Sequence, residues 1–183
     1  MVFLEEHARL LLLAHGVAAV FLVGAATHQA WWCRGYLRGD FRRAPAERRI
    51  AAVAAAAYAL TFLLGNLAYP AYRVRVRAEF LDAPAAVAAD AAARREAAAR
   101  LDHPLPPSAP APLDGLGRLF DIKEHWAALG CAAALALAAL ARWAHPSTEP
   151  RVAPLYLGLS LVVCGCAWAG AVIGALVASY RTV

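Results

Sequence analysis

The chain has 183 residues, 62% of them hydrophobic, with a mean hydropathy of +0.51 and a formal net charge of +5. A soluble domain of this size is closer to half apolar, so the composition argues against an ordinary water-soluble fold. The positive charge is gathered in one short segment and is not evidence for nucleic-acid binding.

The apolar excess falls in four blocks, about 9–32, 50–69, 126–143 and 152–179. Each approaches the roughly 20 helical residues that cross a hydrocarbon core of ~30 Å. The sequence therefore predicts one all-α domain over 1–183: an integral membrane four-helix bundle with an outer-side loop, 70–121, containing a short surface helix. The N-terminus, Met1-Val2-Phe3-Leu4-Glu5-Glu6-His7, is acidic where a secretory signal is basic. With the long apolar run behind it, it reads as a retained first span, ending in the interfacial aromatic pair Trp31-Trp32.

Between the first two spans, Arg34, Arg38, Arg42, Arg43, Arg48 and Arg49 face only Asp40 and Glu47. A short loop so rich in arginine stays cytoplasmic. The turn from Arg142 to Arg151 then shares that side, and both termini and the long loop lie outside. The second span carries Tyr58, Thr61 and Asn66 and is expected to stop at Pro70, with Asn66 facing another helix to satisfy its amide.

In the outer loop, Arg73-Val74-Arg75-Val76-Arg77 alternates with period two, so an extended strand would put three guanidinium groups on one side. The alanine-rich stretch 84–101, with Asp90 and Arg94 spaced for an i,i+4 pair, is the predicted surface helix. His103 to Pro112 reads as a stiff proline-rich linker. Phe120-Asp121-Ile122-Lys123-Glu124-His125-Trp126 leads into the third span. The fourth carries a Gly170/Gly174 pair whose spacing suits close helix packing. Cys33, Cys131, Cys164 and Cys166 suggest small packing residues and no disulfide framework.

Ionisable groups inside spans are functional candidates by default, which directs attention to the six histidines. His15, about two turns into the first span, is the most telling, although an imidazole bonded to a neighbouring helix satisfies the same pattern. Two imidazoles from different helices can hold haem b edge-on in a bundle. The expected outer ligand pair is His15 with His125, with His7 an alternative to His15; the inner pair would be His28 with His145. Gly16, Gly24 and Gly130 would leave room for a macrocycle, and Arg73, Arg75 and Arg77 would meet its propionates. His15 and His28 are about 140° apart around one helix, which weakens a two-haem version. His145 precedes Pro146 and reads as a turn residue.

A second constellation joins Glu6, His7, Glu124 and His125 as a possible metal site for copper, iron or zinc. The same groups suit a quinone headgroup, with Glu124 or His125 exchanging its protons. The bland alternative is an interfacial charge cluster in which Glu124 pairs Arg73 or Arg75. No nucleophile–base pair, phosphate-cradling glycine loop or CxxC motif is present.

Two segments, Gly65-Asn66-Leu67-Ala68-Tyr69-Pro70-Ala71-Tyr72-Arg73-Val74-Arg75-Val76-Arg77 and Leu119-Phe120-Asp121-Ile122-Lys123-Glu124-His125-Trp126, together resemble a group of uncharacterised bacterial four-span membrane proteins. The likeness covers about a fifth of the chain. It implies a bacterial inner-membrane setting and weight on the outer-face cluster, and carries over no activity. The leading expectation is a b-type cytochrome-like electron-transfer subunit, quinone-linked, working with other membrane subunits of a redox complex in the lipid bilayer. The alternatives are a non-catalytic accessory subunit of a respiratory or photosynthetic complex and a metal-binding membrane protein.

Overall fold

The computed structural model describes residues 4–100 and 116–180. The described residues are helical almost throughout: α1 (Ala8–Cys33), α2 (Ala44–Tyr72), α3 (Pro84–Arg100), α4 (Leu116–Trp143) and α5 (Ala153–Tyr180). The linker 103–112 and the side chain of Arg94 lie outside the description. Four helical stretches are long and apolar enough to cross a membrane, as the four hydrophobic blocks predict.

The distribution of side chains identifies the solvent. Leu13, Val20, Phe21, Leu60, Leu129, Leu161 and Val172 are exposed, while Ala26, Ala51, Ala54 and Ala134 are buried. A water-soluble protein buries its large aliphatic groups first. Here alanine is the commonest buried residue, with a few large groups such as Leu22, Tyr58 and Leu137, while many large aliphatic groups face outward, the arrangement a bilayer favours. The four long helices pack in a ring, α1 on α2, α2 on α4, α4 on α5 and α5 on α1. The first and third spans, α1 and α4, therefore lie diagonally across the centre.

Local chemistry sets the connections. Gly39, with φ of 72°, ends the short helix Arg34–Arg38 in the left-handed region that favours glycine. Pro45 occupies the first turn of α2, where its missing N–H is not needed. This connection and the turn at 144–149 form one end of the molecule, called here the arginine end.

Three expectations are corrected. Pro70 does not stop α2: the helix runs through it and continues as a π-helical stretch, Arg73–Leu81. The predicted outer loop therefore has little free chain up to residue 100, and Arg73, Arg75 and Arg77 lie on a helix with no extended strand to align them. The Asn66 amide does not find its partner on another helix; it donates to the Phe62 carbonyl of its own helix at 2.8 Å, at the edge of the space between α2 and α4. The Gly170/Gly174 pair does not seat a helix backbone: Gly170 has open space where a Cβ would stand, and Gly174 faces the Lys123 side chain. The four cysteines are unpaired.

Candidate functional site

In the half of the molecule away from the arginine end, the ring of helices does not close. A cavity of about 430 Å³ opens between α2 and α4, where Phe62, Asn66 and His125 are exposed. A second, of about 360 Å³, opens between α1 and α5, where Gly16, Val20 and Ala175 are exposed. Both are lined by His15, Phe120 and Lys123, so the two lobes meet around these residues. Either volume lies in the usual range for a small-molecule pocket. Tyr72 stacks on Phe120 with ring centroids 3.8 Å apart, adjoining the second lobe.

Lys123 is the unexpected centre. Buried positions on α4 include Gly130, Ala134, Leu137 and Ala141, and the same three-to-four spacing brings Lys123 onto that stripe. Its Nζ lies 5.1 Å from the Phe120 ring centroid, and a Cβ on Gly174 would stand 3.2 Å from it. Among the described residues, Lys123 enters no ion pair. Tyr72 Oη, on the second lobe, is buried without a hydrogen-bond partner. Unpaired polar groups are costly away from water, and here two of them adjoin empty space.

The two histidines expected to act together share the first lobe but differ in setting. His15 Nδ1–H donates to the Thr61 carbonyl at 2.9 Å, and Gly65 gives the ring its room: a Cβ there would stand 3.2 Å from Cε1. His125 Nδ1–H donates to the Asp121 carbonyl of its own helix at 2.8 Å. A carbonyl can only accept, so each ring carries a proton on Nδ1, and in the neutral tautomer Nε2 is left as an acceptor. His125, however, follows Lys123 by two residues, about 200° around the helix. It sits exposed at the rim while Lys123 points to the centre.

The remaining candidates are dispersed. His7 and Glu6 are exposed at the start of α1. His28 packs edge-on against Trp32 and does not meet His145. Arg75 pairs with Glu5, and Arg77 with Asp121 (3.2 Å) and Asp82 (3.3 Å), leaving Arg73 exposed. Glu124 lines the first lobe and pairs with neither Arg73 nor Arg75. Among the described residues, no group of three or more His, Cys, Asp or Glu side chains converges to hold a metal ion. Gly16 and Gly24 face open space, and the room at Gly130 is filled by Tyr58 and Cys166.

At the arginine end lies a cluster that sequence reasoning did not find. Glu47, in the first turn of α2, is fully buried. Its carboxylate accepts from Gln29 Nε2 at 3.2 Å, His145 Nε2 at 3.2 Å, Tyr36 Oη at 3.4 Å and Cys33 Sγ at 3.8 Å. The Ser147 backbone N–H donates to His145 Nδ1, so the proton of this imidazole sits on Nε2, facing Glu47. Burial holds His145 below the ordinary imidazole range, with the Glu47 hydrogen bond opposing. His145 lies outside any helix, as its Pro neighbour predicts. In sequence Glu47 is hidden among arginines, yet with Ala51, Ala54 and Tyr58 it keeps the three-to-four spacing of the buried face.

No protein-family profile, no curated protein and no solved structure matches this chain.

Proposed function

We propose that the divided cavity binds the headgroup of a membrane quinone, and that the chain is the quinone-holding subunit of a larger redox complex in a bacterial inner membrane. One observation carries this reading: an unpaired ammonium and an imidazole with Nε2 left as an acceptor meet in an apolar cavity that opens sideways between helices. A ligand dissolved in the bilayer enters through such an opening without crossing water. Lys123 donates to a quinone carbonyl and offsets the charge that builds there on reduction. Oxidation of a quinol releases two electrons, taken by a haem or iron–sulfur carrier of a partner subunit, and two protons. His15 Nε2 accepts one proton and Glu124, lining the same lobe from α4, the other.

Titration of the purified protein with a short-tailed ubiquinone analogue, followed by tryptophan fluorescence, tests this. Saturable quenching is expected, weakened by about 10–100-fold in Lys123→Met, because a hydrogen bond to a charged group contributes ~1.5–3 kcal/mol. Equal affinity in the variant, or no saturable signal, overturns the reading.

A second reading, haem b between His15 and His125, is favoured by the two acceptor Nε2 atoms on diagonally placed helices. Against it, Lys123 and not His125 occupies the inward position opposite His15, and Arg75 and Arg77 already hold carboxylates. A b-type α-band in the dithionite-reduced spectrum, lost in His15→Ala, would decide for haem.

A further inference from the structure

We propose that the arginine end holds the phosphate of an anionic glycerophospholipid on two arginines held over tryptophan rings, Arg34 over Trp31 and Arg43 over Trp32. The argument begins with the charges left over once internal pairs are made. Of the two carboxylates among the six arginines, Asp40 is taken by Arg42, which donates from Nε at 2.9 Å, from Nη2 at 2.8 Å and from its backbone N–H at 3.2 Å. Those bonds hold the Asp40 carboxyl down at about 2, so it stays committed to Arg42. Glu47 is turned inward and satisfied by neutral donors. Arg34, Arg38, Arg43, Arg48 and Arg49 remain exposed, and among the described residues none enters an ion pair.

Two of these guanidinium groups are held in place. Arg34 Cζ lies 3.8 Å from the centroid of the exposed Trp31 ring, and Arg43 Cζ lies 5.3 Å from that of Trp32. A guanidinium held over an indole face by cation–π attraction makes no hydrogen bond to the ring face, and its planar N–H fork matches two oxygens of a phosphate. Indole rings settle at headgroup depth, so these pairs place the forks at the level of lipid phosphates. A zwitterionic lipid carries its own cation beside the phosphate; phosphatidylglycerol does not, and the uncompensated field selects it.

Native mass spectrometry of the whole protein, equilibrated in micelles with equal amounts of phosphatidylglycerol and phosphatidylcholine, reads this preference directly. A surface arginine contributes ~1 kcal/mol towards an anionic lipid, or about fivefold each. Wild type is expected to retain phosphatidylglycerol at least about fivefold over phosphatidylcholine, and Arg34→Gln/Arg43→Gln to lose most of that excess. Arg34→Lys/Arg43→Lys keeps the charge but loses the flat fork, and is expected to fall well below wild type. Full preference in the lysine variant would mean a diffuse field with no site, and equal retention of both lipids by wild type would overturn the proposal altogether.

Discussion

The two ends of the molecule treat polar groups in opposite ways. At the arginine end a carboxylate with no exposed surface is met by neutral donors from α1, from the Arg34–Arg38 turn and from the connection before α5. In the other half an ammonium that enters no ion pair among the described residues stands beside two cavities. The Glu47 carboxylate has its hydrogen bonds made and joins the chain segments that surround it, although Tyr156 Oη, packed edge-on against Tyr36 and His145, is buried there without a partner among the described residues. The arrangement around the ammonium is incomplete, which is why it reads as a place for a ligand. Burial of an ionisable group does not by itself mark function; the decisive feature is whether its hydrogen bonds are made within the chain.

The sharpest break of this comparison is the sign of two substitutions, measured by thermal unfolding in detergent without added ligand. Glu47→Gln replaces an accepting oxygen by an N–H facing the buried donors of Gln29, Tyr36 and His145, and is expected to destabilise by about 1–3 kcal/mol. Lys123→Met removes an unpaired cation and is expected to be neutral or stabilising by up to about 2 kcal/mol. Loss of stability in both would mean that Lys123 is as structural as Glu47, and the distinction would fall.

A similarly large effect is expected at the junction of the two regions. A Cβ on Gly130 would overlap Tyr58 Oη and stand 2.7 Å from Cys166 Cβ. Gly130→Ala should therefore lower stability by about 1–3 kcal/mol, the usual range for overpacking. A Tyr58→Leu change in the same chain should restore part of it.

The smallest expected effect is a pH dependence confined to the arginine end. Because burial lowers the His145 pKa from 6.5, the folded state binds this proton less readily than the unfolded chain. Stability should then be complete above that value and decline as the pH falls through it, by at most ~1.4 kcal/mol per pH unit for one proton. In His145→Gln, which can still donate to Glu47, the decline should disappear. An unchanged slope in that variant would place the titrating group elsewhere.

Most of the fold was legible in the sequence because a bilayer demands long apolar helices, and their length and spacing are visible in a single chain. Pro70 was misread because a proline removes one helical hydrogen bond without forbidding continuation, and here the chain widens into a π-helical stretch just beyond it. The candidate site was half legible. His15 stood out as an ionisable group within a span, and it does line the cavity. His125 lines the same lobe from its exposed rim, while Lys123, on the buried stripe of α4, carries no signal in a comparison of histidines alone. Glu47 was discounted as one charge among many, since composition does not reveal that one residue of a charged loop turns inward.

The continuation of α2 past Pro70 has a consequence for what stands above the bilayer. From Ala44 to Leu81 the helical stretch runs 38 residues, so at ~1.5 Å each it reaches somewhat over 50 Å, against a hydrocarbon layer of ~30 Å. Its far end is a mast, braced at its foot by Glu5 through Arg75 and by Asp121 through Arg77. α3 begins three residues beyond that end, so its root stands wherever the length of this stretch carries it.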